Sequence, residues 1–386
     1  MRKEFLPFHK ASIGEEEIRE VTETLRSGWI TSGPKTKEFE KKFAAAAGAK
    51  YGCAVNSCTA AMHLALAAIG IKAGDEVIVP VMTFTATAEV VTYFGAVPVF
   101  ADCDPETMLI DIGHMESRIT ARTKALIPVH YGGQSCDIDT ILKIARRHNL
   151  KVIWDAAHAF PTFYRGKNIG SFPDIVCFSF YATKTLTTGE GGMAVTDNED
   201  YIERIRLLSL HGMSRDAWKR YSRQGSWSYD VVAPGFKYNM TDIAAAMGLV
   251  QLKRAGELLE KRRQIAERYD KAFSGSKQIK VLKKMSYGAG AWHLYVIRID
   301  CDGLGIVKND FIEEMKKRNI GVGVHFIPLN LHFYWRKTYS PGDDNFPNAM
   351  KAHREIISLP IFPDMSDKDV DDVADAVKEI VRFYGK

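Results

Sequence analysis

From Tyr51 onward the chain alternates short apolar runs with helical patterns. YGCAV reads as a strand, and NSCTAAMHLALAAIG as a helix that closes at Gly70. EVIVP and VPVF read as strands with a helix, TFTATAEVVTYFG, between them, and KALIPVHY, KVIWD and IVCFSF follow as further strands. Strands that are apolar throughout and joined by helices are the pattern of a parallel sheet covered on both faces. GGMAVTD follows IVCFSF after a loop too short for a helical crossover, so it either runs antiparallel or pairs elsewhere in the sheet. Upstream, EEEIREVTETLRSG sets Ile18, Val21 and Leu25 on one helical face and stops at Gly28.

A long helix is expected from about Thr241 to Phe273, with Met247, Leu252, Leu259 and Ile265 available for burial. The pattern then changes to a strand AWHLYVIRI, a helix NDFIEEMKKRN, a strand GVGVHFI and a last helix with Val370, Val373, Val377 and Ile380 on one side. This divides the chain into a large α/β domain, 1–250, and a smaller α+β domain, 251–386, hinged on the long helix. No internal repeat or low-complexity tract interrupts it.

Composition narrows the function classes. Fifty-two basic against 47 acidic residues leave a net charge of only +5, and the charges are interleaved, as in QLKRAGELLEKRRQIAERYDK. That is a salt-bridged helix face rather than a nucleic-acid stripe. The N-terminal MRKEFLPFHKASIGEEE has no apolar core of signal-peptide length, so a cytoplasmic protein is expected. The most apolar window, Val77 to Phe100, is broken by Pro80, Glu89 and Gly95, which argues against membrane insertion. The six cysteines form no CxxC pair and have no histidine partners at zinc spacing, so reduced thiols and no metal site are expected.

The candidate chemistry collects at strand ends, where open α/β sheets bind ligands. Asp155 ends KVIWD, Ser179 lies in the last residues of IVCFSF, and Lys184 comes just beyond them in FSFYATKTLTTGEGG. NSCTAAMHLAL offers Asn56 or Ser57 as a helix cap, and the small residues Cys58, Thr59 and Ala60 leave room for an anion at the first turn. Each residue alone has a plainer role: a solvated lysine, a turn-forming aspartate, a core Phe84, a satisfied His158. Together they match pyridoxal phosphate, which needs an amine to bind its aldehyde, a carboxylate for its ring nitrogen, a phosphate cup and a flat neighbour. In that reading Lys184 is the amine and Asp155 the ring-nitrogen partner. Thr59, Ala60 and Ser179 hold the phosphate, Phe84 stacks on the ring, and His158 bonds its phenolic oxygen. No GxxxxGK[ST] or GxGxxG after a strand competes.

FSFYATKTLTTGEGG, DAAHAF, PVMTFTAT and NSCTAAMHLAL closely resemble the DegT/StrS-type nucleotide-sugar aminotransferases, which are fold-type-I pyridoxal-phosphate enzymes. GWITSGPKTKEFE, APGFKYNMTD, AWHLYVIR and LPIFPDMSD extend the resemblance over nearly the whole chain. It implies a mostly parallel mixed sheet with helices on both faces, a smaller C-terminal α+β domain, and a homodimer with shared active sites. In that dimer Asn239 of GFKYNMTD reaches the partner's phosphate, and Thr31 in GWITSG and His325 lie near the sugar nucleotide. SGWITSGPK, LIPVHYGG, DAWKR and APGFKYN resemble the branch that makes UDP-4-amino-4-deoxy-L-arabinose for lipid A modification, whereas IPLNLHFYW is closer to other nucleotide-sugar enzymes.

The implied reaction moves an amino group from L-glutamate, leaving 2-oxoglutarate, to a 4-keto nucleotide sugar. A UDP-4-keto-pentose and a nucleotide 4-keto-6-deoxyhexose are both open as acceptors. Rival readings are a dehydratase relative, a cofactor-binding regulator and a nicotinamide oxidoreductase. The intact lysine and aspartate and the missing glycine fingerprint argue against them.

Overall fold

A computed structural model describes residues 2–214 and 229–385. The DAWKR stretch lies outside the described residues. The central sheet is built from β1 (Tyr51–Val55), β2 (Glu76–Pro80), β3 (Val97–Ala101), β4 (Thr123–Leu126) and β5 (Lys151–Asp155). After a two-strand hairpin, β6 (Phe163–Tyr164) and β7 (Lys167–Asn168), it is completed by β8 (Ile175–Ser179) and β9 (Gly192–Thr196). The seven strands stand in the order β1-β9-β8-β5-β4-β2-β3. A second sheet orders β10 (Ile279–Val281), β11 (Tyr295–Ile299) and β12 (Ile356–Leu359).

Helices α1 (Glu15–Arg26), α2 (Pro34–Ala47), α3 (Cys58–Ile69), α4 (Ala86–Thr92), α5 (Ile112–Ser117), α6 (Ile138–Arg147) and α7 (Glu199–Ser209) accompany the large sheet. The 32-residue α8 (Asp242–Phe273) leads to α9 (Cys301–Leu304), α10 (Lys308–Lys317), α11 (Phe333–Tyr339), α12 (Pro347–Glu355) and α13 (Asp367–Tyr384). Thr241 caps α8 with its side chain, and Gly70 closes α3 at φ 81°, a left-handed conformation that suits glycine.

Strands β2, β3, β4, β5 and β8 pair in parallel, whereas β9 enters antiparallel between β8 and β1. The open choice for GGMAVTD is thereby decided: with no helix after β8, the chain can only double back. Asp155, Ser179 and the residues entering α3 therefore meet on one side of the sheet.

Four expectations need correction. KALIPVHY is a strand only to Leu126, because Pro128 has no N–H to give a ladder. GVGVHFI forms no strand and contributes a single bridge, Gly323 with Ser358, just after one between Ile320 and Leu6. On α8, Ile265 is buried, but Met247, Leu252 and Leu259 are only partly so; Ala245, Ala246, Val250 and Leu258 are buried instead. The fourth is α1, which buries its polar side. Glu17 packs inward on Arg254 at 2.6 Å and Gln251 at 2.7 Å, while Ile18 and Leu25 are each 52% exposed. Periodicity shows which residues share a face, but the partner available to that face decides whether it is buried.

Buried residues form two cores. Phe39, Phe43, Trp154, Phe178 and Phe180 lie in the first. Tyr269, Phe311, Val373 and Val377 lie in the second, which also takes Leu6 from the chain's start. Leu329, Trp335 and Phe346 return to the first core. All six cysteines are free and buried.

Candidate active site

Lys184 follows β8 in a turn closed by its own N–H on the carbonyl of Tyr181 at 2.9 Å. The rest of the loop is tied down by threonines. Thr187 Oγ1 donates to the Phe180 carbonyl at 3.1 Å, Thr188 Oγ1 to that of Glu190 at 2.7 Å, and Thr185 to that of Phe160. The amine is thus carried by an anchored loop rather than a solvated one. Burial lowers its pKa to about 8 against the opposing pull of the Asp155 carboxylate and the Cys58 thiol.

Asp155 is 4% exposed. Its Oδ1 accepts from the Ala157 N–H at 3.0 Å and its Oδ2 from Thr87 Oγ1 at 2.8 Å. Burial raises its pKa, while these two donors and Lys184 act to lower it.

Ser57 caps α3, its Oγ accepting from Ala60 N–H at 3.0 Å. That leaves the amides of Cys58 and Thr59 without helix partners, as at any helix start. The Ala60 amide named as part of the cup is therefore already engaged. Gly192 explains how the cup is assembled. A Cβ there would sit 2.3 Å from the Ser57 carbonyl carbon and 2.5 Å from the Cys58 nitrogen, so only glycine lets β9 press against the cup. Gly192 also pairs with Ser179, which brings that hydroxyl to the same place.

His158 accepts the Gly132 N–H at Nδ1, 3.2 Å away, which leaves its proton on Nε2 as a donor. Burial, Lys184 and His325 hold its pKa well below the usual value, so the ring is neutral. Its ring stacks on Phe326 at 5.8 Å, and Phe326 in turn lies 6.2 Å from Phe84. Phe84 is 59% exposed. It presents a flat open ring instead of a core side chain. His325 bonds Ser358 Oγ at 2.9 Å through Nδ1, and Phe8 stacks on it at 5.3 Å. Burial and Lys184 lower its pKa to about 4.

Thr31 and Asn239 bond to other groups, although the Asn239 backbone bridges to Val55 just before α3. Thr31 is exposed and held through its carbonyl by the Asp242 N–H at 3.2 Å. Asn239 Nδ2 donates to Ser32 Oγ at 2.7 Å. Among the described residues no hydrogen bond joins either side chain to Lys184, Asp155 or the start of α3.

Sequence reasoning missed several residues. Thr83 and Thr87 back Asp155, and their only signal was the threonine repeat in TFTAT. His293, buried, lies 4.4 Å ring to ring from His158. Tyr131 donates its hydroxyl to the His325 carbonyl. His9, from the chain's start, donates Nε2–H to the Ala182 carbonyl at 3.0 Å. No local signal marked His9, because the chain's first segment reaches the site only through the fold.

A half-buried amine of lowered pKa, a buried carboxylate and a capped helix start thus come together on one side of a mixed α/β sheet. Residues 11–378 match the DegT/DnrJ/EryC1/StrS aminotransferase family, and the chain belongs to it. It is 52% identical over 382 residues to the spore coat polysaccharide biosynthesis protein SpsC of Bacillus subtilis, covering 99% of this chain and 98% of that one. The putative sugar aminotransferase Spr1654 of Streptococcus pneumoniae, in its PMP form, superposes with a TM-score of 0.92 at 37% identity, over 98% of this chain and 100% of that one. Its PLP form has also been solved. Helicobacter pylori PseC, an aminotransferase of pseudoaminic acid biosynthesis, aligns at TM-score 0.91 and 28% identity, over 99% of this chain and 100% of that one.

Proposed function

We propose that this protein is a pyridoxal-phosphate-dependent transaminase that moves the amino group of L-glutamate onto a 4-keto nucleotide sugar. One observation carries the reading: Lys184 lies within electrostatic reach of both Asp155 and Cys58, the first residue of α3, with its pKa brought down to about 8 by burial. The residues fit the cofactor. The α3 amides and Ser179 suit its phosphate, Asp155 its ring nitrogen, His158 Nε2–H its phenolic oxygen and Phe84 its ring face. When bound, pyridoxal phosphate supplies an aldehyde that takes up amines and a ring that withdraws electrons.

This chain's own residues do the rest. Lys184 Nζ would be the amine that holds the cofactor's aldehyde and that a substrate amine would free. The freed Nζ is then a base near working pH, suited to taking a proton from the substrate carbon and returning it one position away. Asp155, as carboxylate, would keep the ring nitrogen protonated.

The relatives named for spore coat polysaccharide and pseudoaminic acid synthesis support a carbohydrate acceptor. A UDP-4-keto-pentose is the first acceptor to test, and a nucleotide 4-keto-6-deoxyhexose the alternative. We further propose two units, 1–250 and 251–386, hinged on α8, and a homodimer in the cytoplasm. The dimer is supported by the outward apolar residues Ile18, Leu25, Trp29 and Ile30. Among the described residues no helix is long and apolar enough to cross a membrane.

The test is an absorption spectrum of the protein loaded with pyridoxal phosphate. L-Glutamate should shift the cofactor band to shorter wavelength, and the correct keto-sugar nucleotide should restore it. A band indifferent to L-glutamate refutes the assignment.

A further inference from the structure

The segment TFTAT does two things at once. Phe84 points outward, while Thr83 and Thr87, 2% and 1% exposed, turn inward beneath the site. Thr87 Oγ1 lies 2.8 Å from Asp155 Oδ2, and Thr83 Oγ1 lies 2.8 Å from Thr87 Oγ1. Each hydroxyl has one proton to give. If Asp155 is ionised, Thr87 must donate to it, and Thr83 must then donate to Thr87. Every polar atom in the row is satisfied.

If Asp155 carried the proton, the row would have to reverse, and the Thr83 proton would find no acceptor among the described residues. The alternative is an acid proton set against the Ala157 N–H, which already points at Oδ1 from 3.0 Å. A buried donor without an acceptor is costly. The row therefore opposes the drive toward the neutral acid that burial imposes on Asp155.

We propose that Thr87, with Thr83 behind it, is a positioning residue that keeps Asp155 in its carboxylate form toward the cofactor ring. This rests on the function proposed above, though the geometry concerns this chain alone. The charged or titratable groups facing Asp155 are Lys184 after β8, Cys58 on α3, Cys177 on β8 and Cys136 before α6. The three thiols are pushed up by burial and stay neutral, so Lys184 is the one cation among these neighbours and the threonines are the hydroxyl donors.

The experiment titrates Asp155 directly in the cofactor-free protein. Carboxyl 13C resonances of aspartate-labelled protein are followed with pH, and Asp155 is assigned by its loss in Asp155→Asn. Thr87→Val, nearly the same shape without the hydroxyl, should raise the Asp155 midpoint by about one to two pH units. Thr87→Ser should restore it, and Thr83→Val should move it less in the same direction. In the loaded protein, the acid limb of pyridoxal-phosphate retention should rise by the same amount in Thr87→Val. An unmoved midpoint in Thr87→Val, with or without a lower melting temperature, overturns the proposal, as does failure of serine to restore it. Should the wild type not hold pyridoxal phosphate at all, the functional reading fails while the titration still decides the role of the threonines.

Discussion

Gly192→Ala tests the assembly of the cup through a single methyl group. The added Cβ would stand 2.3 Å from the Ser57 carbonyl carbon, 2.4 Å from its oxygen and 2.5 Å from the Cys58 nitrogen. Uncharged heavy atoms pack at about 3.5–4.0 Å, so something must retreat by about an ångström. Strand β9 cannot, because Gly192 is paired with Ser179 on one side and Val55 on the other. The start of α3 must yield, and with it the amides proposed to hold the phosphate. Overpacking of this kind destabilises by about 1–3 kcal/mol. Losing one charge-assisted hydrogen bond is worth about 1.5–3 kcal/mol, or roughly ten- to hundredfold in affinity.

Gly189→Ala is the contrast. Gly189 sits at φ 80° with its nearest prospective neighbour, Met247 Cε, at 3.9 Å. That substitution strains the backbone by about 1–2 kcal/mol but pushes on nothing. Urea unfolding of the cofactor-free variants and spectrophotometric titration with pyridoxal phosphate measure both effects. Both variants should lose stability, and only Gly192→Ala should lose affinity tenfold or more. A Gly192→Ala protein that binds the cofactor as tightly as wild type would refute the account of the cup.

Three further outcomes are expected. Lys184→Ala should retain pyridoxal phosphate only until dialysis removes it and should show no turnover; the check is the band remaining after dialysis. Because the folded pKa of Lys184 lies near 8, below its ordinary 10.5, the neutral amine that captures the aldehyde should become more abundant as pH rises through about 8. The folded state binds fewer protons there than the unfolded one. Stability of the cofactor-free protein should accordingly rise with pH between about 8 and 10.5 through this group, an increment that Lys184→Met abolishes. Finally, Asn239→Ala and Lys184→Ala subunits, each inactive or impaired alone, should regain activity on mixing if the sites are shared across a dimer. A mixture no better than the sum of its parts would argue for self-contained sites.

Much of the architecture was legible in the sequence because it is local. Continuous apolar runs bounded by glycine and helix caps mark β1, β2, β3, β5 and β8, and a strand end followed by lysine marks the candidate site. Lys184, Asp155, Ser179 and the α3 cap could be grouped because strand ends in one parallel sheet share a side. What remained hidden depends on partners distant in sequence. Ile18 and Leu25 form an apolar stripe, yet α1 turns them outward because Arg254 and Gln251 on α8 bind Glu17. Thr87 reads as an ordinary helix residue until Asp155, 68 positions away, supplies the acceptor. Gly192 reads as a turn glycine until β9 is seen against Ser57. The sequence by itself determined most of the elements of the large sheet and which of their ends hold the candidate groups. Only the tertiary structure decided which faces are buried, which hydroxyls hold the carboxylate and how His9 reaches the lysine's loop, since those outcomes depend on groups the chain brings together only when folded.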